Sequence, residues 1–235
     1  MNINISQIRA KARYLLDDNI FGKDWLKSVF VHILMTVIIL STGGVLYTLS
    51  NEKLLPFLMD LVGDISVVLK YGIPAVLDFV EILLLYIIIG PVSVGLAYVY
   101  LDLIRGEGTV KIKKFFYGFK NFIGNFILGF MYMLQVGLWT VFFIVPGIYV
   151  AYSYALIFYV KSDHPEYRWK ECFDESERLM EGRRWQLFKL QISHIGWVIV
   201  GLAFVLIGSF WAAPYLETST AIFYEEAKAA RYARS

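Results

Sequence analysis

Two carboxylates at helical spacing are the first residues of this chain that could carry out chemistry in a membrane. Asp78 and Glu81 lie three positions apart, directly before the uncharged stretch 82–101. On a helix this spacing puts both side chains on one face, where they could hold a cation or relay a proton. The competing interpretation is a solvated helix start, because carboxylates also suit the positive end of the helix dipole. The sequence favours the solvated start.

Histidine and cysteine give no catalytic or metal-binding pattern. His194 follows Lys189 by five positions, near the start of an apolar stretch, and a hydrogen-bonded structural histidine is favoured there over a proton relay. His32 and His164 lie far from it in the sequence. The single cysteine, Cys172, excludes an internal disulfide and a cysteine-built metal site. The chain also has no H-E-x-x-H zinc motif and no glycine-rich phosphate loop, so we expect no enzyme activity, metal or cofactor.

The composition explains why so few charged residues are candidates. Of 235 residues, 58% are hydrophobic and 18% charged, whereas soluble domains carry about 25% charged residues. The mean hydropathy is +0.58. A net charge of +2 is too small to predict a nucleic-acid partner. The composition therefore predicts one integral membrane domain over residues 1–235, an all-α polytopic helical bundle.

The longest uncharged stretch, 121–160, organises this bundle. It has no Asp, Glu, Lys or Arg, and Lys120 and Lys161 flank it. A continuous helix of that length would reach about 60 Å, twice the bilayer core of about 30 Å, so it must cross twice. Pro146 and Gly147 mark the predicted turn of a hairpin with helices over 122–145 and 148–160.

Three further uncharged stretches complete the predicted bundle: 28–51, 82–101 with a kink at Gly90-Pro91, and 190–216. A reversal at Gly208 would add a last segment, and whether that segment crosses stays open. We expect about six membrane-inserted helices.

Amphipathic segments lie between these stretches. They are an N-terminal helix over 1–27, capped by Ser6, an outer segment over 52–81, and a loop over 161–189 that contains a helix, Trp169–Met180, ended by Gly182. The N-terminal helix could lie in the membrane interface or pack on the protein's own cytosolic loops.

The distribution of Lys and Arg predicts the orientation. The polar segments in chain order carry 5, 2, 5, 0 and 7 basic residues. This alternation follows the positive-inside rule and places the N-terminus and both basic loops in the cytoplasm. A reversal at Gly208 would place the C-terminus there too.

Packing and lipid contact are the remaining roles that the sequence suggests. Gly147, Ala151 and Ala155 form a small-residue ridge at four-residue spacing, for which packing within the chain is favoured over a homodimer. Arg183, Arg184 and Lys189 could bind anionic headgroups, although positive-inside anchoring explains them equally well.

The C-terminal third also resembles a known family. The residues that carry the resemblance are Val145-Pro146-Gly147, Tyr152-Ser153-Tyr154, Ser176, Leu179-Met180, Gly182, Trp185, Leu187-Phe188, Ile195-Gly196-Trp197, Pro214-Tyr215 and Phe223-Tyr224. They are similar to the bacterial integral membrane family known as domain of unknown function 975. Further landmarks in the N-terminal half are Ile8, Lys11-Ala12, Leu15-Leu16, Gly90-Pro91 and Gly118-Phe119; the chain departs from the pattern around residues 17–24 and at His194.

This resemblance implies a multi-helix cell-membrane protein typical of Gram-positive bacteria, and no established activity. We therefore expect a non-enzymatic scaffold or accessory subunit of the bacterial cytoplasmic membrane that engages lipid or a partner membrane protein. The alternative is a transporter for a small or amphiphilic solute, because the helix breaks at Gly90-Pro91, Pro146-Gly147 and Gly208 could line a binding site.

Overall fold

The computed structural model describes residues 4–16, 22–48, 73–106, 109–194 and 207–233, and these form helices without any strand. In chain order the helices are α1 (Ile5–Leu15), α2 (Lys23–Thr48), α3 (Ile73–Arg105), a 3-10 helix (Ile112–Phe119), α4 (Phe122–Phe142), α5 (Ile144–Ser153), α6 (Ile157–Asp163), α7 (Trp169–Met180), α8 (Arg184–Ile192) and α9 (Ile207–Tyr232). Most of the predicted outer segment, residues 52–72, lies outside the described part.

Three helical stretches within the described residues are long and apolar enough to cross a membrane: Ile87–Arg105, Phe122–Phe142 and Ile144–Asp163. They correspond to the predicted second crossing and the two arms of the hairpin. The predicted first crossing falls on α2, and much of the 190–216 stretch lies outside the described residues. The count of six therefore stays a prediction, while the described residues form an all-helical fold with three stretches apolar enough to span a membrane.

The hairpin reverses three residues earlier than predicted. Phe143, with φ −152° and ψ 119°, is the single extended residue between α4 and α5. The prediction of a turn at Pro146-Gly147 is wrong, because both residues lie in the first turns of α5. A proline near a helix start costs little, since the amide hydrogens there have no intrahelical partner. Gly147 allows the two arms to meet closely, because a Cβ there would lie 2.6 Å from Thr140 Cα.

The second arm is two helices, not one. α5 ends at Ser153, and α6 begins at Ile157. The Ser176 hydroxyl of α7 bridges this interruption: it donates to the Ser153 carbonyl oxygen at 3.0 Å and accepts from the Leu156 amide at 3.3 Å. A side chain from outside the arm thus supplies hydrogen bonds that a continuous helix would make internally.

Lys161, predicted to be where the cytoplasmic loop begins, is instead buried within α6. Its ammonium group donates to the carbonyl oxygens of Pro165, at 2.8 Å, and Tyr167. The last polar residues of this arm are therefore part of the folded interior.

Helix α3 runs without interruption through Gly90-Pro91, so the predicted break there is absent. The glycines serve close helix contacts instead. A Cβ on Gly129 of α4 would lie 2.6 Å from Gly90 Cα, and one on Gly118 of the 3-10 helix would lie 2.8 Å from Gly95 Cα. Missing side chains let the backbones of α3, α4 and the 3-10 helix touch, a common way to pack helices in membranes.

The N-terminal helix is shorter than predicted and packs on the protein. Asn4, and not Ser6, caps α1, because the Asn4 side chain accepts the Ser6 amide at 3.1 Å. The apolar face of Ile8, Ala12 and Leu16 is fully buried, and α1 contacts α9. The Arg9 side chain reaches the Tyr215 hydroxyl of α9 at 3.2 Å. The helix thus packs on the protein, and its partner is α9 in place of the predicted cytosolic loops.

Helix α7 has the bounds that the sequence pattern predicts. Its buried face consists of Cys172, Phe173, Ser176, Leu179 and Met180, and Gly182 follows it with a φ of +69°, which glycine adopts without strain. Burial raises the pKa of the Cys172 thiol to about 12, against a smaller opposing effect of Lys161. The thiol therefore stays protonated and inert in the folded protein.

We expect Gly118→Ala to destabilise the protein strongly. The new methyl group would overlap the backbone of Pro91 and Gly95, and neither helix can move away without losing the contact. Overpacking of this kind costs about 1–3 kcal/mol, measurable as a lower melting temperature in detergent. Gly137→Ala is the matched control, because nothing lies within 4 Å of a Cβ at that position. Equal melting temperatures for the two variants would contradict the close-contact interpretation.

Candidate functional site

A groove of about 590 Å³ lies between the membrane helix α5 and the start of α8. One wall follows the spacing of a single face of α5, and the other belongs to the α7–α8 turn and α8. The lining residues are Val145, Ile148, Tyr149, Tyr152, Gly182, Arg184, Trp185 and Phe188. Apart from Arg184, this lining is apolar or aromatic, and its volume lies in the range of small-molecule sites.

Arg184 is held in a defined position in this groove. Its Nε donates to the Ser153 hydroxyl at 2.7 Å, and its guanidinium carbon lies 4.3 Å from the centroid of the Tyr149 ring. The nearest carboxylate, Glu177, lies 4.0 Å from a terminal nitrogen, beyond hydrogen-bond distance. Within the described residues the terminal nitrogens of Arg184 have no hydrogen-bond acceptor. The groove therefore combines an oriented cation with apolar walls.

Aromatic contacts hold the two walls together. The Tyr152 hydroxyl donates to Gln191 Oε1 at 2.6 Å, and the Tyr152 ring meets Phe188 edge-on at 5.8 Å. Trp185 stacks on Phe188 at 4.7 Å while 61% of its side chain stays exposed. Phe188, held by Tyr152, supports the exposed indole of Trp185. An exposed indole suits the membrane interface, where tryptophan is enriched.

The three basic residues predicted to meet headgroups have different surroundings. Arg184 lines the groove, and the exposed Lys189 places its ammonium 5.7 Å from the Trp185 ring centroid. Arg183 is buried and donates from its guanidinium to the Leu179 carbonyl oxygen at 3.0 Å. Arg183 is the N-cap residue directly before α8, and its burial leaves little of its guanidinium at the surface for a headgroup.

The other predicted site residues do not form a second site. His194 is buried, with Nδ1 2.7 Å from the Leu190 carbonyl oxygen and Nε2 3.3 Å from the Ser219 hydroxyl, as a structural histidine would be. Asp78 and Glu81 lie in α3 and Gly208 in the first turn of α9, with side chains outside the described part.

The small-residue ridge is also incomplete. Gly147 and Ala151 lie in α5, but Ala155 falls in the interruption after it. Four-residue spacing aligns side chains only along a continuous helix, so Ala155 leaves the ridge.

A charged network that sequence reasoning missed joins the ends of three helices. The Asp163 carboxylate of α6 accepts from Arg105 of α3 at 2.7 Å and from Tyr224 of α9 at 2.9 Å, and it also pairs with Lys228. Arg105 in turn donates from Nε to Glu225 at 2.7 Å. The end of α9 therefore lies at the same end of the molecule as both basic loops.

A second missed cluster lies one turn further into the bundle. The buried Tyr159 hydroxyl donates to the Glu217 carboxylate at 2.7 Å. Glu217 also acts electrostatically on His32 and Tyr100, whose ring centroids are 5.9 Å apart. His32 Nδ1 lies 2.9 Å from the Ser28 carbonyl oxygen, so it carries the proton in the neutral ring. Four polar residues from α2, α3, α6 and α9 thus meet in an apolar interior.

Metal binding has no support in the described part of the chain, where no three His, Cys, Asp or Glu side chains are grouped closely enough.

The two missed clusters have a partial signal in the sequence. Glu217, Tyr224 and Lys228 recur at seven and four residues on α9, and Tyr159 and Asp163 recur at four on α6. Each pattern shows a polar stripe, but the partner stripe lies about 60 residues away.

We expect Asp163→Asn to lower the stability of the protein by about 1–3 kcal/mol, since hydrogen bonds to a buried charged group are worth that much and Lys228 would lose its carboxylate partner. Thermal unfolding in detergent measures the change. Asp174→Asn, on the exposed side of α7, removes the same charge as a control and should leave the melting temperature unchanged. If both substitutions had the same small effect, the network would not be what holds α3, α6 and α9 together.

Comparison with known proteins adds a family match over part of the chain and no activity. No curated protein and no solved structure matches the chain. One family model matches residues 140–231. This region contains the hairpin turn, the groove, α7, α8 and most of α9, while the N-terminal landmarks of the resemblance lie outside it. The resemblance predicted from the sequence is confirmed over this region: residues 140–231 match the family described as protein of unknown function (DUF975).

Proposed function

We propose that this protein is a non-enzymatic accessory or scaffold protein of the bacterial cytoplasmic membrane that engages an amphiphile, either a lipid or an apolar segment of a partner protein, through the groove between α5 and α8. The observation that carries this proposal is Arg184, oriented by Ser153 and Tyr149 within an otherwise apolar groove. A site with one cation and a long apolar wall suits a ligand with a charged end and an apolar body.

The surroundings of the groove support a location in the membrane. The tip of the α4–α5 hairpin is exposed and apolar: Val141 is 84% exposed and Val145 77%. Apolar patches of this kind on a folded protein mark contact with lipid or with another protein. The groove begins at this tip, at the end of the second arm that lies away from Asp163.

Purification of the tagged protein from its native membrane in mild detergent, with mass spectrometry of lipids and proteins, tests this function. We expect a lipid or a stoichiometric partner protein to accompany the wild type and to be lost from Ile148→Trp, which would fill the groove. Ile123→Trp is the control, because Ile123 is 71% exposed on α4 and does not line the groove. A ligand retained equally by both variants would place the binding elsewhere.

The Glu217 cluster favours a second candidate function, proton-coupled transport of a solute. A partly buried carboxylate bonded to a buried tyrosine among membrane helices is a candidate proton carrier. This alternative predicts that liposomes containing the wild type dissipate an imposed pH gradient when solute is supplied, and that Glu217→Gln abolishes the flux. Glu181→Gln, in the turn after α7, is the control. Identical fluxes for wild type, both variants and empty liposomes would eliminate transport.

A further inference from the structure

We propose that the occupant of the groove is an anionic phospholipid, with its phosphate on Arg184 and one acyl chain along the α5 wall. This inference rests on the proposed function and names the ligand of the same site. Three observations support it: the unused hydrogen-bond donors of Arg184, the exposed apolar wall that α5 gives the groove, and the charge around the groove.

The terminal N–H groups of Arg184, which no described acceptor takes, favour an anionic ligand. Nε of Arg184 is occupied by Ser153 and one face of the guanidinium by the Tyr149 ring, which together fix the plane of the group. The terminal nitrogens carry hydrogens that no described acceptor takes, since Glu177 stands at 4.0 Å. A planar guanidinium that is held in place and offers parallel donors matches the geometry of a phosphate.

The apolar wall that α5 gives the groove favours an acyl chain attached to that anion. Val145, Ile148 and Tyr149 line the groove and are 77%, 51% and 56% exposed, although all three lie in a helical stretch apolar enough to cross a membrane. The groove runs along this exposed apolar face of α5 to Arg184. A free phosphate would leave this wall uncovered, whereas an acyl chain covers it from the headgroup outward.

The charge around the groove favours an anionic over a zwitterionic headgroup. Lys189 lies on the same helix as Arg184, next to Trp185, and adds a second cation at the rim. A choline group would bring a positive charge towards these residues, while a glycerol headgroup would not. Juxtamembrane clusters of Lys and Arg attract anionic lipids for this reason.

Native mass spectrometry of the purified protein, supplied with phosphatidylglycerol or phosphatidylcholine of identical chains, tests the inference. We expect the wild type to retain phosphatidylglycerol about tenfold better, because both lipids offer Arg184 the same phosphate and only phosphatidylcholine adds a cation beside Arg184 and Lys189. Arg184→Gln should reduce the ratio to near one. Arg178→Gln is the control, because Arg178 is exposed on α7 and removes the same charge outside the groove. Millimolar inorganic phosphate should not displace the lipid.

Each other result has a distinct meaning. Ile148→Trp keeps Arg184 in place and should lose both lipids, so it tests the groove even if Arg184→Gln fails to fold. If wild type and Arg184→Gln retain both lipids equally while Ile148→Trp loses them, the groove binds lipid but the anionic preference is wrong. Displacement by inorganic phosphate would show a soluble anion site and overturn the lipid assignment. If no variant changes the binding of either lipid, the lipid branch of the proposed function fails as well.

Discussion

The Asp163 carboxylate is the point at which helices distant in sequence are held together. It accepts hydrogen bonds from Arg105 of α3 and from Tyr224 of α9, and it pairs with Lys228 one turn further along α9. Apolar packing within a membrane has little directional preference, so a charged network of this kind sets which helix ends meet. Glycine contacts join α4 to α3, and contacts with α7 and α8 hold α5, while the apolar tip of the hairpin stays exposed.

Much of the fold could be predicted because local pattern decides it. The bounds of α7 and its buried face follow from apolar residues at helical period, and the uncharged stretches locate α2, α3 and the hairpin. The turn at Phe143 could not be found in this way. Pro146 suits the first turn of a helix as well as it suits a loop, and only the contact between the two arms selects the first. Gly90-Pro91 misled for a similar reason, since the glycine serves helix contact and the helix continues.

The candidate site was partly predictable. The sequence marks basic and aromatic residues beside an apolar stretch, among them Arg184, Trp185 and Lys189. It does not distinguish Arg184 from its neighbour Arg183, which is also an arginine. The burial of Arg183 depends on the turn between α7 and α8, which directs its guanidinium back to the Leu179 carbonyl oxygen. The Glu217 cluster has the same origin, because its four residues come from four helices and none is distinctive alone. The spacing of polar residues in the sequence shows that one face of a helix is polar. Only the folded chain shows which residues of other helices that face contacts.

The Ser176 bridge has a mechanical consequence. The gap between α5 and α6 is closed by one hydroxyl of α7, which serves the Ser153 carbonyl oxygen and the Leu156 amide at once. If α7 tilted or slid, both backbone groups would lose their partner in a water-poor setting, at a cost of about 1–3 kcal/mol for each. Helix α7, which follows the second arm in the chain, is therefore coupled to the backbone of that arm, and a displacement of α7 would also open the junction between α5 and α6.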